Sequence, residues 1–186
     1  MKRHLIIPLA LCCYLAIMSI QGCTNLARPA TGASSNSVNV YFSPKGGATA
    51  AIVKEIDGAK YEVLILADSF TSKPIVQAVV NARKRGVNIQ VVMDRSQRGE
   101  KYPEADFMTR GHISIYLDSR HAIANNRVIM IDSSTLITGS FSFTKAAEEN
   151  NAENLLVIHD KKLAERFTRN WQEHERPSEL YGGRGK

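Results

Sequence analysis

Four short, almost unbroken apolar runs, at residues 61–67, 87–93, 112–117 and 127–131, dominate the middle of the chain, and segments of helical spacing separate the first three. A strand that is apolar on both sides needs cover on both faces, so these runs call for a sheet sandwiched between helices. Pro74 stands at a first helical position before Ile75, Val76, Val79 and Val80, and Gly86 suits the left-handed position that closes a helix. A shorter helix over 103–110 ends at Gly111. Upstream, a strand at 38–42 turns through Ser43-Pro44-Lys45-Gly46-Gly47 into a helix over 48–56. Downstream, Asp132-Ser133-Ser134 makes a tight connection between strands at 127–131 and 135–138. A brief helix over 144–149 and a strand over 154–159 come next, and Asp160 caps an amphipathic helix through Leu163, Phe167 and Trp171, where Trp171 is a packing residue. The expected class is α/β, a mixed, largely parallel β-sheet flanked by helices on both faces.

The ends divide the chain further. Lys2 and Arg3 precede an apolar run from Leu5 to Ile20 and then Gln21-Gly22-Cys23, the pattern of a secretory signal with a lipobox. The run is short and contains Pro8, which argues against a retained membrane span. Residues 1–22 are read as a lipoprotein-type signal and Cys23 as the lipid-bearing amino terminus, with a plain signal peptide cut nearby as the alternative. Residues 23–37 form a small, polar tether, 38–176 one domain, and 177–186 a frayed tail. Cys12 and Cys13 leave with the signal, so no disulfide framework remains. Lys2 and Arg3 leave too; of 24 basic residues the rest face 18 acidic ones, a mature balance of +4 that suits phosphate-bearing partners without specifying one. Thr24 comes directly after the lipidated Cys, so in a Gram-negative host the expected address is the outer membrane facing the periplasm.

Asn125-x-Arg127-x4-Asp132-x6-Gly139-Ser140 spans the second strand pair. Its spacing is that of the phospholipase D signature, His-x-Lys-x4-Asp-x6-Gly-Ser, with Asn for His and Arg for Lys. Ordered blocks flank it: Val40-Tyr41-Phe42-Ser43-Pro44, Ser69-Phe70-Thr71-Ser72-Lys73-Pro74, Phe141-Ser142-Phe143-Thr144 and Asn151-Ala152-Glu153-Asn154. On these residues the chain resembles the small bacterial single-signature, endonuclease-like (Nuc-type) members of the phospholipase D superfamily, with a degenerate motif.

The resemblance implies a fold, a pocket and a partner. In that family the signature His attacks phosphorus to form a phosphohistidine, a second His protonates the leaving oxygen, and the Lys neutralises phosphate oxygens. One signature per chain implies a homodimer whose pocket is shared at the axis. The pocket positions fall on Asn125, Arg127, Asp132, Ser140 and Glu153, the last matching an acidic residue that supports the family's His. Arg127, Ser140, Ser142 and His121 are the candidate substrate contacts, and the ligand is a phosphodiester, nucleic acid or phospholipid. No metal or cofactor is expected: His112, His159 and His174 show no ligand spacing, the first two reading as partly buried packing residues and the last as a solvated helix end.

The two substitutions differ in chemistry. An amide has no lone pair suited to attack phosphorus and does not titrate near neutrality, so Asn125 supplies neither nucleophile nor acid. Arg127 keeps a permanent charge and a planar fork for two phosphate oxygens. His121, four residues upstream, is the one candidate to stand in for the missing nucleophile, with a structural role as the stronger reading. Asp132 reads as a structural acceptor, and Asp68 and Asp94 either line the pocket mouth or cap the segments after their strands. The expectation is therefore a lipid-anchored protein that binds phosphodiesters while catalytically impaired, acting as binder or scaffold; the alternative is an active phosphodiesterase with a phosphohistidine-type or altered mechanism.

Overall fold

The computed structural model describes residues 36–95 and 103–182. The signal, Cys23 and almost all of the tether lie outside the described residues. Strand β1 (Ser37–Phe42) is followed by α1 (Ala48–Gly58), β2 (Glu62–Ala67), α2 (Lys73–Lys84), β3 (Asn88–Asp94), α3 (Pro103–Arg110) and β4 (Ser114–Asp118). The second half runs β5 (Arg127–Ile131), β6 (Thr135–Gly139), α4 (Lys145–Glu149), β7 (Asn154–His159), α5 (Lys161–Glu175) and β8 (Glu179–Leu180). All eight strands form one sheet in the order β1-β7-β6-β5-β2-β3-β4-β8.

Helices cover both faces, as the apolar runs demand. Successive residues of β2 alternate between two cores: Val63 and Ile65 pack with Ile52 and Ile56 of α1 and Ile75 and Val79 of α2, whereas Leu64 and Leu66 pack with Trp171 of α5. Trp171 is 3 % exposed and its indole N–H donates to the Ile65 carbonyl at 2.8 Å, so it is a core residue with its one polar atom satisfied. Asp160 caps α5, its side chain accepting from the Leu163 amide.

The mixed α/β class stands, but the sheet is less parallel than the sequence suggests. Only β2–β3 and β3–β4 pair in parallel; the other five pairings are antiparallel. Burial on both faces produces unbroken apolar runs whichever way neighbouring strands point, so composition does not report direction. The chain ends also differ from expectation. β1 begins one residue inside the expected tether, and the expected tail continues into β8, which pairs with β4. The Tyr181 amide donates to the Ile115 carbonyl at 2.7 Å and the Tyr181 hydroxyl to Asp106 at 2.8 Å.

Strand directions gather one set of termini along a single edge of the sheet. β2, β3 and β4 finish there, with Asp68 just beyond β2 and Asp94 and Asp118 as the last residues of the other two, while antiparallel β5 starts there, with Arg127 opposite Ala67. β6 ends and β7 begins at the same edge, Gly139 lying opposite Leu155. Carboxyl ends of strands in open α/β sheets are where ligands commonly sit.

Candidate functional site

At this edge the Arg127 guanidinium is held from three sides. Its Nε–H donates to Ser142 Oγ at 2.8 Å, Nη1 to Asn125 Oδ1 at 2.8 Å and Nη2 to Asp68 Oδ2 at 2.7 Å. Three of the five N–H donors of an arginine are thereby engaged, and among the described residues two remain for a ligand. The Arg127–Asp68 pair is well shielded, each side chain 22 % exposed, whereas Asn125 is exposed. Burial raises the Asp68 carboxyl above its ordinary pKa, and the opposed charge of Arg127 offsets that only in part.

Ser142 is itself anchored: its backbone N–H donates to Glu153 Oε2 at 2.7 Å, and Glu153 Oε1 accepts from Asn151 Nδ2 at 2.7 Å. The Glu153 amide donates to Ser43 Oγ at 3.1 Å, which ties the block after β1 to the same cluster. Phe70 and Phe143 join the remaining flanking block, residues 69–74, to the one that carries Ser142. They form an isolated bridge, pack edge to face with ring centroids 5.7 Å apart, and leave the Phe143 carbonyl to accept from the Thr71 and Ser72 amides.

Of the predicted site residues, Asn125, Arg127, Ser142 and Glu153 form one hydrogen-bonded chain, joined by Asp68. The others take up different positions. Ser140 Oγ accepts from the Asn154 amide at 3.0 Å and from its side-chain nitrogen at 3.3 Å, bracing the β6–β7 junction. Gly139, at φ 154°, runs against β7 so closely that a side-chain carbon built on it would collide with the Asn154 carbonyl, so only glycine fits there. Asp132 lies at the opposite end of β5. Its Oδ1 accepts from the Tyr61 and Glu62 amides and its Oδ2 from Lys60, all within 2.9 Å, at the start of β2. Both Asp132 and Ser133 have positive φ, 51° and 52°, and the Ser134 amide donates to the Ile131 carbonyl, a mirror-type hairpin turn. Asp94 accepts from the Ala124 amide and so ties the end of β3 to the loop that carries Asn125.

His121 does not join the Arg127 chain of hydrogen bonds; its Nδ1 meets Asp118 Oδ2 at 2.8 Å. His174, expected to be solvated, is 13 % exposed in its side chain and bonds the same oxygen at 2.7 Å. His112 is exposed at φ 58° in the turn after α3, not partly buried. The Asp118 carboxylate is wholly buried, which opposes its charge, yet hydrogen bonds from His174, His121 and the Arg120 and His121 amides outweigh that and hold its pKa below the ordinary value. Sequence spacing could not reveal this trio, because His174 lies 56 residues from Asp118 and reaches it only through the fold. The turn at Gly46-Gly47 is accounted for as well, since the Gly47 and Thr49 amides donate to the Glu148 carboxylate.

Known proteins share this framework. The chain matches the family described as cardiolipin synthase, PLD-like domain, over residues 52–174. The phospholipase D of Rickettsia conorii is 38% identical over 138 residues, spanning 74% of this chain and 69% of its own length. Nuc from Salmonella typhimurium, a phospholipase D family member of known structure, is 38% identical and superposes with a TM-score of 0.72 over 78% of this chain and 98% of its own. NucT from Helicobacter pylori has the same fold at 20% identity, with a TM-score of 0.69 over 78% of this chain and 99% of its own. With the signature spacing on β5 and β6, the flanking blocks packed around it and these likenesses over most of its length, the chain belongs to the phospholipase D superfamily, as a Nuc-type member.

Proposed function

We propose that this chain is a phospholipase D-like protein that binds phosphodiesters at Arg127 but turns them over poorly, serving as a phosphate-ligand binder or scaffold. One observation carries the reading: the residue at the nucleophile position is the amide Asn125, and its oxygen is spent on a hydrogen bond from Arg127. An amide so placed orients the guanidinium and offers no lone pair to phosphorus. Loss of acid–base catalysis alone lowers turnover by about 10² to 10⁴-fold, and loss of the nucleophile adds to it. The two uncommitted Arg127 donors are suited to phosphate oxygens. Relatives named phospholipase D and Nuc support a phospholipid headgroup or nucleic acid as ligand.

Binding of DNA and of anionic vesicles to the full chain, weakened by salt and lost in Arg127→Ala, is the expected result. A chromogenic phosphodiester should be hydrolysed no faster than a blank. Turnover that disappears in Arg127→Ala would instead establish the second reading, an active phosphodiesterase. The intact brace of Ser142 on Glu153 beside Arg127 favours keeping that arm.

Export and attachment through Cys23 belong to the same proposal, with the outer membrane facing the periplasm as the address in a Gram-negative host. Labelled palmitate should enter the chain and fail to enter Cys23→Ser. A homodimer with a shared pocket completes it. Ile123, two residues before Asn125 and 72 % exposed, gives the loop an apolar side chain for such a contact. Sedimentation of Ile123→Glu as a monomer, against a dimeric parent, is the expected outcome.

A further inference from the structure

Two histidines from different parts of the fold converge on one buried carboxylate. Asp118 ends β4 with its side chain wholly buried; His121 comes from the loop after it and His174 from the last turn of α5. Both Nδ1 atoms lie against Asp118 Oδ2, at 2.8 and 2.7 Å, and the imidazole centroids are 4.8 Å apart. Asp118 Oδ1 faces the other way and accepts from the Arg120 and His121 amides at 3.0 and 3.4 Å. The carboxylate is therefore fixed in orientation, one oxygen committed to the backbone and the other presented to the histidines.

We propose that Asp118, His121 and His174 form a binding site for a divalent ion of the zinc class, with water in the fourth position. Two imidazoles and a carboxylate are a donor set that zinc favours, and the amide hydrogen bonds to Asp118 Oδ1 are the outer support that such ligands usually have. One ligand atom from each residue can be chosen so that all lie within 4.8 Å of one another. Tetrahedral zinc, with bonds of about 2.0 to 2.2 Å, keeps its ligand atoms roughly 3.3 to 3.5 Å apart, so the two contacts to Asp118 Oδ2 must open by about 0.5 to 0.8 Å and the two imidazole ligand atoms must settle at the same spacing. His121 can supply that movement, being 52 % exposed in its side chain. Each neutral histidine that coordinates through Nδ1 carries its proton on Nε2, so the ion replaces the hydrogen bonds to Asp118 and does not add to them. A bound ion would fasten the end of α5 to the loop that leads to Asn125, independently of whether Arg127 binds phosphate. Without an ion the trio is a hydrogen-bonded clasp.

Calorimetry with Zn²⁺ and absorption with Co²⁺ separate the two, on the full chain with Cys12, Cys13 and Cys23 replaced by serine to remove competing thiolates. Expected are one saturable site per chain, the visible bands of four-coordinate cobalt and a Zn²⁺-dependent rise in Tm. His121→Ala and His174→Gln should each weaken binding by about 10- to 100-fold or more. His121 is half exposed, so its variant should keep the parent's circular dichroism and test the ligand without unfolding the protein. Absence of saturable binding, or binding unchanged in both variants, would overturn the proposal.

Discussion

The two ends of β5 carry the same signature and have fared differently. Asn125 and Arg127 stand at its start, and Asp132 closes it roughly 17 Å away at 3.3 Å per residue. At the far end the signature residue is retained and satisfies three backbone amides of the segment that enters β2. The near end holds a guanidinium bonded to Ser142, Asn125 and Asp68, with an amide at the position where the signature has His. The spacing of the motif thus has two separable causes. Asp132 and Gly139 answer to the backbone around them, whereas positions 125 and 127 depart from the signature and, on the proposed function, serve a phosphate ligand.

The strongest way to break this contrast is to restore the near end. Asn125→His together with Arg127→Lys should raise phosphodiester hydrolysis by about 10² to 10⁴-fold over the parent if catalysis alone has been lost, which corresponds to roughly 3 to 5 kcal/mol of barrier. A silent double variant would mean that the surrounding pocket has also diverged, with Asp68 the first neighbour to suspect, since it already pairs with the central cation.

Changes that touch only the framework should alter stability. Gly139→Ala forces a carbon against the Asn154 carbonyl on a backbone that disfavours side chains, and should cost about 3 kcal/mol or more in urea unfolding. Asp132→Asn leaves a residue that tolerates the left-handed turn but halves the acceptor set; it should cost about 1 to 2 kcal/mol. Phosphate-ligand binding by Asp132→Asn should match the parent at temperatures where both are folded. If binding falls with stability unchanged, the division of labour along β5 is wrong.

Legibility in the chain divides in the same way. Helices α2 and α5 and the central strands were legible because apolar spacing, Pro74 and Asp160 act locally. Strand direction was not, since Ile65 and Ile129 are buried on both sides in an antiparallel pair as thoroughly as they would be in a parallel one. β8 left no sequence signal because two exposed residues, Glu179 and Leu180, carry no periodicity. Arg127 was recognisable from the motif, but its pairing with Asp68 spans 59 residues and depends on β2 and β5 being neighbours. The Asp118, His121 and His174 trio likewise exists only once α5 has crossed back over the sheet.

The smallest expected effect sharpens the comparison most closely at the near end. Asp68 has a raised folded-state pKa because burial disfavours its charge; Arg127 lowers it, and the nearby Asp94 carboxylate adds to the rise. A carboxyl whose folded pKa exceeds its unfolded one contributes stability that is fully present below the unfolded value, near 3.8, and lost as pH rises through the folded value. In Asp68→Asn this loss should vanish, so the variant should gain on the parent as pH climbs out of the acid range and hold that gain to neutrality. Urea midpoints across a pH series read the difference directly. The same substitution removes a competing anion from Arg127 while an amide oxygen can still accept from Nη2, so affinity for DNA or anionic vesicles should rise with it. Stability that gains nothing, joined to weaker binding, would mean that Asp68 positions the guanidinium for its ligand rather than competing for it.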